Sequence, residues 1–348
     1  MEYRTIAYKG SKRKLLEQIQ SYAKEIKAKT FFDGFSGTGI VSAHMRKNGY
    51  VVAANDLNFS SYVYGSVFLN GFEKDTVEEH LSHINQVSPL SGWLTANYSG
   101  TSARVIRGTG GNIEERPRGF IRANAMKIDA AREYIESKKK LLSEHTYNAL
   151  VFSVILGADK VFNNSNDQKS ALKEWTKSAR KPVVFKSPTL IEGPRGKQLH
   201  GDILEVGLSG DMVYLDPPYT HGVLYASCYH LNDSIAHWNK PVLDYDYAIP
   251  RPIDVCFRKN AQRAGGFYNK TSARIAFENL FKKNRAKRIV LSYSDAPRNT
   301  LTIEELIKIG KCYGNVKVDS LAHQLCMQPK SQLQRSTQLK EHFIVVDK

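Results

Sequence analysis

The chain sets its most reactive combination of residues at 212–222, MVYLDPPYTHG, where one carboxylate, two prolines and a tyrosine follow a short apolar run. Two consecutive prolines remove two backbone donors and fix φ twice, so a strand over MVYL must stop at Asp216. The residue before a proline is pushed to an extended conformation, which holds Asp216 in a defined pose. Ligands of open α/β sheets bind beyond the carboxyl ends of the strands. Asp216, Pro217, Pro218 and Tyr219 are therefore the candidate catalytic residues. The plainer alternative is a strand-terminating loop whose aspartate is merely solvated.

A second group lies near the N-terminus. The loop Asp33-Gly34-Phe35-Ser36-Gly37-Thr38-Gly39 joins an apolar run to a helical pattern. Glycines there admit a ligand close to the backbone, at a helix N-terminus that favours negative charge. The spacing is G-x-x-G-x-G rather than the dinucleotide G-x-G-x-x-G, and no Gly-Lys-Ser/Thr follows as a P-loop requires. Asp33 would repel a phosphate and suits a cofactor with a cationic end, such as S-adenosylmethionine. Asp56, at the tip of the next strand, stands where an acid commonly binds ribose hydroxyls. Asp202, in HGDILEV, is either an acceptor for an adenine amino group or an ordinary turn residue. Tyr8 and Lys12 flank KGS at the entrance to a basic helix, where a lysine can pair with the carboxylate of a methionyl group. The alternative there is an N-capped, solvated amphipathic helix.

These residues need a scaffold, and the hydrophobic pattern supplies one. Leu15, Leu16, Ile19, Tyr22 and Ile26 recur at helical spacing over 12–27. Residues 30–56 read as strand, glycine loop, helix, a stop at Gly49 and a second strand, a β-α-β unit that implies a parallel sheet. Residues 57–83 read as helical and 84–122 as irregular and rich in Gly and Arg; helices follow at 123–140 and 143–162. The β pattern resumes at KQLHGDILEV and MVYLD and continues at 288–295, 315–321 and 342–346, with a helix at 302–310. The strands come in two blocks, so the expected architecture is a Rossmann-like α/β domain, a mostly parallel twisted sheet with helices on both faces, over 1–83 and 195–348. A mainly helical region, 84–194, is inserted into it. The basic KKNRAKR at 282–288 reads as a solvated helix end.

Composition restricts the partners. Fifty Lys and Arg face 34 Asp and Glu, a formal charge of +16, which favours a polyanion, nucleic acid ahead of an anionic membrane. No run of about eighteen apolar residues is present to span a bilayer, and the N-terminus lacks the apolar region of a secretory signal. Cys228, Cys256, Cys312 and Cys326 are widely spaced, without a C-x-x-C pair, and read as reduced thiols of a cytoplasmic protein with no metal site.

Taken in order, AYKGSKRKLL, FFDGFSGTG, NDLNFSSY and VYLDPPY resemble the DNA adenine-N6 methyltransferases of the Dam-like, FokI-type class. GFIRANAMKIDAAREYIE, YHLNDSIAHW, IVLSYSD and LKEHFIVV are similar to that class as well, so the likeness spans nearly the whole chain. The resemblance implies an S-adenosylmethionine-dependent enzyme that methylates a flipped-out adenine in double-stranded DNA. It acts alone or beside a separately acting restriction endonuclease. The resemblance assigns Tyr8, Lys12, the 33–39 loop, Asp56, Asp202 and Asp216 to the cofactor, and Asp216 with the Pro217 carbonyl to the two N–H bonds of the target amine. Tyr219 offers a face on which the base can stack. Target recognition falls in the insertion, whose candidate DNA contacts are Arg104, Arg107, Arg116, Arg118, Arg122, Lys173, Lys177, Arg180 and Lys181. The segments NNSNDQKSALKEW and DYDYAIPRPIDVCFRKNAQRAGG depart from the class and leave the target sequence open. The rivals are an N4-cytosine methyltransferase, disfavoured by Asp in place of Ser before Pro-Pro-Tyr, and a catalytically silent DNA-binding subunit. A nicotinamide dehydrogenase is more distant, given the glycine spacing and the lack of a histidine for hydride transfer.

Overall fold

The computed structural model describes residues 3–8, 10–105, 113–164, 167–169, 172–220, 224–247, 249–255, 266–322 and 340–348; for 102–105, 113–116 and 322 it describes the backbone alone. The chain divides into two compact units.

One unit comprises Lys9–Asn70, Ile191–Tyr225 and Gln262–Lys348. Its centre is a seven-stranded sheet of β1 (Thr30–Asp33), β2 (Val51–Asp56), β3 (Lys197–His200), β4 (Met212–Leu215), β5 (Arg288–Ser294), β6 (Asn315–Ala322) and β7 (Lys340–Asp347). The order is β6-β7-β5-β4-β1-β2-β3. Pairings from β5 to β3 are parallel, and β7 runs antiparallel to both β5 and β6. This is the Rossmann-like α/β fold.

Strands covered on both faces carry near-continuous apolar runs, and every residue of RIVLSYS in β5 is buried. Side chains alternate between the faces. Phe32, Val213, Leu215, Ile289, Leu291, Ile344 and Val346 meet the helices Lys270–Lys283 and Ile303–Lys311 through Phe277, Phe281, Leu306 and Ile309. On the opposite face Phe31 meets Tyr214, and Tyr22 of the helix Leu16–Glu25 meets Phe343. The first residues of the expected 12–27 helix, Lys12–Leu15, wind as a 3-10 turn.

The other unit comprises Met1–Tyr8, Gly71–Leu190 and Ala226–Ala261. It holds the helices Lys74–Gln86, Trp93–Tyr98, Arg122–Lys138, Glu144–Val161 and His230–His237. This division differs from one drawn at 84–194, because residues after the Pro-Pro turn join this unit. Arg132 Nε donates to the Ile235 carbonyl at 2.8 Å, and Gln168 Oε1 accepts from Leu231 N–H at 2.9 Å. Residues 230–237 are thereby tied to the helix Arg122–Lys138 and to Gln168 of the same unit.

Three local expectations need correction. The helical stretch 57–83 is two helices, Phe59–Asn70 and Lys74–Gln86, parted by Gly71 at φ +75°, a left-handed turn that glycine adopts without steric cost. The region 84–122 is not irregular throughout, since Trp93–Tyr98 is helical and Thr101–Val105 pairs antiparallel with Ile113–Pro117. The sequences TSARV and IEERP mix charged, small and apolar residues without a clear period-2 alternation. KKNRAKR is not a solvated end. Its helix stops at Lys283, and Arg288 opens β5 with only 8% exposure. The Arg288 guanidinium donates to Asp347 at 2.6 and 2.9 Å, to Glu25 at 2.7 Å and to the Tyr22 carbonyl at 3.0 Å. Removing a buried cation from such a network is strongly destabilising, discounted here because both acids are half-exposed. Arg288→Ala is expected to cost about 2 kcal/mol in a denaturant titration, whereas a solvated arginine would cost nothing measurable.

Candidate active site

β1, β2 and β4 are adjacent and parallel, so their carboxyl ends open on one edge, which gathers Asp33, Asp56 and Asp216. The glycine loop crosses between them. Gly34 N–H donates to the Tyr214 carbonyl at 2.9 Å and Ser36 N–H to the Asn55 carbonyl at 3.0 Å, tying the loop to the strands on either side. Gly39, at φ +73°, turns the chain into the helix Ile40–Lys47; a Cβ there would stand 2.9 Å from the Phe68 ring. Ser36 and Thr38 are buried, and Ser36 Oγ is 3.4 Å from Gln198 Nε2. Phe35 turns to the core, edge-on to Phe267 at 5.5 Å.

Asp56 braces this loop. Its Oδ2 accepts from Gly37 N–H at 2.8 Å and its Oδ1 from Asn58 N–H at 2.9 Å. Asp33 is 1% exposed; its Oδ2 accepts from Ser42 Oγ at 2.7 Å, while Oδ1 has no hydrogen-bond partner among the described residues. Burial, with the negative charges of Asp216 and Asp56 nearby, pushes the Asp33 carboxyl up to about 7. A buried carboxylate with a free oxygen is costly unless a cation meets it. Asp202 is half-buried beyond β3, and its Oδ1 accepts from Leu204 N–H at 2.9 Å in a tight turn.

At the end of β4, Asp216 Oδ1 lies 2.9 Å from Lys12 Nζ, and the same ammonium lies 3.2 Å from Glu341 Oε1. Lys12 and Glu341 are 5% and 1% exposed, Asp216 21%. Glu341 also accepts from Ser292 Oγ. Burial pushes the Asp216 carboxyl up to about 6 against the pull of the Lys12 ammonium. Lys12 is held well above the ordinary lysine range, because its two carboxylates outweigh its burial. The sequence points Lys12 at a cofactor carboxylate; here its ammonium sits between two of the protein's own. Tyr219 is fixed by its carbonyl, which accepts from Thr300 N–H at 2.9 Å, and by Tyr293, whose ring centroid is 4.5 Å away.

The remaining expected residues belong to the other unit. Tyr8 stacks on Tyr229 at 4.3 Å. Arg104 and Arg116 lie on the hairpin strands, in register with Glu114 and Ser102. Arg107 lies outside the described residues. Arg118 is half-buried, and Arg122 reaches Ser91 Oγ at 3.4 Å. Lys173, Lys177, Arg180 and Lys181 are exposed. Glu341, Ser292 and Tyr293 escape a reading of the sequence. The one signal for them was an acid at a buried position of a strand in LKEHFIVV, which calls for a cation. Cys228 is buried and Cys312 exposed, neither in a disulfide among the described residues, and Cys256 and Cys326 lie outside the described residues. Among the described residues no helix is long and apolar enough to cross a membrane.

The chain is similar to known proteins. A type II methyltransferase of Neisseria lactamica, M.NlaIII, is 34% identical over 241 residues, which cover 66% of this chain and 68% of that protein. M.CviAII of Paramecium bursaria Chlorella virus 1 is 27% identical over 329 residues and 90% of both chains. M.FokI of Planomicrobium okeanokoites is 27% identical over 361 residues, but this chain covers 52% of its length. The family model described as D12 class N6 adenine-specific DNA methyltransferase matches residues 8–245, from the N-terminal basic segment through Asp216–Tyr219. The chain belongs to the D12 class of N6 adenine-specific DNA methyltransferases.

Proposed function

We propose that this adenine-specific DNA methyltransferase holds its target amine between the Asp216 carboxylate and the Pro217 carbonyl, with the adenine turned out of the duplex. An exocyclic adenine amine is a poor nucleophile because its lone pair is delocalised into the ring. Two acceptors facing its two N–H bonds draw the nitrogen toward tetrahedral geometry and free the lone pair. Lys12 engages Asp216 Oδ1, which leaves Oδ2 as the acceptor, and proline keeps its carbonyl while losing its N–H. Acceptors held by Pro-Pro and by an ion pair need not reorganise during the reaction, which is electrostatic preorganisation. Adenine inside a duplex must leave the stack, at a cost of a few kcal/mol. The ion pair that fixes Asp216 is the observation that carries this reading.

S-adenosylmethionine is the methyl donor, and the residues present fit it. Asp33 Oδ1, unpaired among the described residues, suits a cationic end, and Asp56 at the tip of β2 suits ribose hydroxyls. The donor supplies an electrophilic methyl group whose leaving sulfur keeps the bonding electron pair, yielding S-adenosylhomocysteine. The amine lone pair forms the new N–C bond, and the amine proton passes to solvent, so no group with a basic pKa is required.

The region 84–194 supplies DNA recognition in this reading, supported by its basic residues. The type II relatives support a place in a restriction-modification pair, beside an endonuclease that acts separately. Methylation of random-sequence duplex by the purified chain, with digestion to nucleosides and single-molecule mapping, tests base and target together. N6-methyladenine at one short sequence is expected; N4-methylcytosine, or no transfer to any DNA, defeats the reading. Neutralising Arg104 and Arg107 together should lower the slope of log affinity against log salt by about 0.9 for every phosphate that is no longer neutralised. Removing a base-edge hydrogen bond would instead cost about 1–3 kcal/mol of discrimination at one position. Binding at several salt concentrations, on target and scrambled duplexes, separates the two outcomes; unchanged slope and specificity would place recognition elsewhere.

A further inference from the structure

We infer that Glu341, acting through Lys12, sets the strength with which Asp216 accepts a hydrogen bond from the target amine. The inference rests on the reading of Asp216 as that acceptor and adds a positioning residue from the far end of the chain. Lys12 Nζ stands 2.9 Å from Asp216 and 3.2 Å from Glu341, and Ser292 Oγ anchors Glu341. A lone ammonium at 2.9 Å would neutralise Asp216 and make it a weak acceptor. A second carboxylate divides that ammonium.

Two carboxylates and one ammonium leave the cluster a net charge of about −1 in a largely buried setting. Such a charge is costly beside a neutral ground state and favourable beside an amine that becomes positive as its N–C bond forms. That difference between ground and transition state is the part of binding that accelerates a reaction. The arrangement is hard to explain as simple stabilisation, because a Lys12–Asp216 pair alone would already be neutral. Among the described residues, the other ionisable groups coupled to Asp216 and Lys12 are Tyr214, Tyr219 and Asp33. Burial holds both tyrosines above their ordinary range, so they remain neutral.

Single-turnover methyl transfer by the full-length chain, measured from about pH 5 to 9 with tritiated S-adenosylmethionine and duplex DNA, tests the inference. Removing the ammonium in Lys12→Met leaves two carboxylates facing each other, so the acid limb of the rate profile should rise by about one pH unit. Glu341→Gln removes the repelling carboxylate, and the limb should fall by about one unit. Opposite shifts, with about a tenfold loss of rate at about pH 8 in Glu341→Gln, where Asp216 becomes the weaker acceptor, and cofactor affinity within about twofold of wild type, are the expected result. Glu341→Asp draws the charge back from Lys12 and should lie between wild type and Glu341→Gln. It serves as the test if the glutamine variant does not fold. An unmoved limb in the Glu341 variants, a shift in the same direction as Lys12→Met, or a loss wholly in cofactor affinity overturns the inference. Asp216→Asn separates the two readings: wild-type rate in that variant defeats the acceptor role itself. A dead Asp216→Asn with an unmoved Glu341→Gln limb defeats only the tuning.

Discussion

Asp216→Ala should lower the rate of methyl transfer by about 10²–10³-fold, the usual effect of deleting one preorganised hydrogen-bonding group from an active site. Cofactor affinity should change by no more than about fivefold, because the carboxylate acts mainly on the amine. The pocket should survive the substitution. Lys12 keeps Glu341 as its counter-ion, Gly34 keeps the Tyr214 carbonyl, and Tyr219 keeps Thr300 and Tyr293. Tritium transfer under single-turnover conditions measures the first quantity and titration calorimetry the second. A variant retaining a tenth of the wild-type rate would remove Asp216 from the chemistry. Equal losses in rate and affinity would make it a cofactor residue alone.

Asp33→Asn should act in the opposite sense on two observables, weakening the cofactor while strengthening the fold. The Asp33 carboxyl is raised to about 7 by burial, above its unfolded value of 3.8. Between those values the folded protein binds more protons than the unfolded chain, so stability in the absence of cofactor falls as pH rises through this window. Asparagine abolishes that dependence, and the cofactor-free variant should melt higher than wild type at about pH 8. Hydrogen bonds to a charged group contribute about 1.5–3 kcal/mol, so S-adenosylmethionine affinity should fall by about 10–100-fold. Calorimetric melting at about pH 6 and 8, with and without cofactor, measures both. A variant that binds the cofactor normally, or melts lower than wild type at the higher pH, would show that Asp33 is structural.

The site was legible where its chemistry is local and obscure where it is assembled. Asp216-Pro217-Pro218-Tyr219 announces itself because two prolines can end a strand in few ways. The glycine loop does so because its spacing fits neither a dinucleotide nor a P-loop pattern. Lys12 next to Glu341 could not be foreseen, since they lie 329 positions apart and only the sheet order sets β7 against β5, one strand from β4. Arg288 misled for the same reason. The lysines that precede it, Lys282, Lys283 and Lys287, are exposed, while its partners, Glu25 and Asp347, come from opposite ends of the chain. The β-α-β unit and the later strands followed from apolar runs. The pairing of Thr101–Val105 with Ile113–Pro117 did not, because TSARV and IEERP carry no alternation of apolar and polar residues that would mark a strand.

Tyr219 shows a subtler limit. Its position after Pro-Pro is a property of the sequence, but the Tyr293 ring against it comes from β5. An aromatic side chain held by the core is a rigid platform, whereas a mobile one would lose entropy on stacking. The same holds for Asp56, whose two bonds to Gly37 and Asn58 make it part of the loop's frame before any ribose arrives. Substituting Asp56 therefore disturbs the loop as well as any ligand contact, which makes Asp33 the cleaner probe of the proposed cofactor site.

The most direct test of the central claim is a crystal structure of the full chain with its methylatable duplex and a non-reactive analogue of S-adenosylmethionine. The account predicts an adenine outside the duplex, stacked on Tyr219. Its N6 should lie within about 3.2 Å of both Asp216 Oδ2 and the Pro217 carbonyl oxygen, with Lys12 still between Asp216 Oδ1 and Glu341. An adenine whose amine meets neither oxygen, or a Lys12 that leaves Asp216 for the carboxylate of the cofactor, would contradict it.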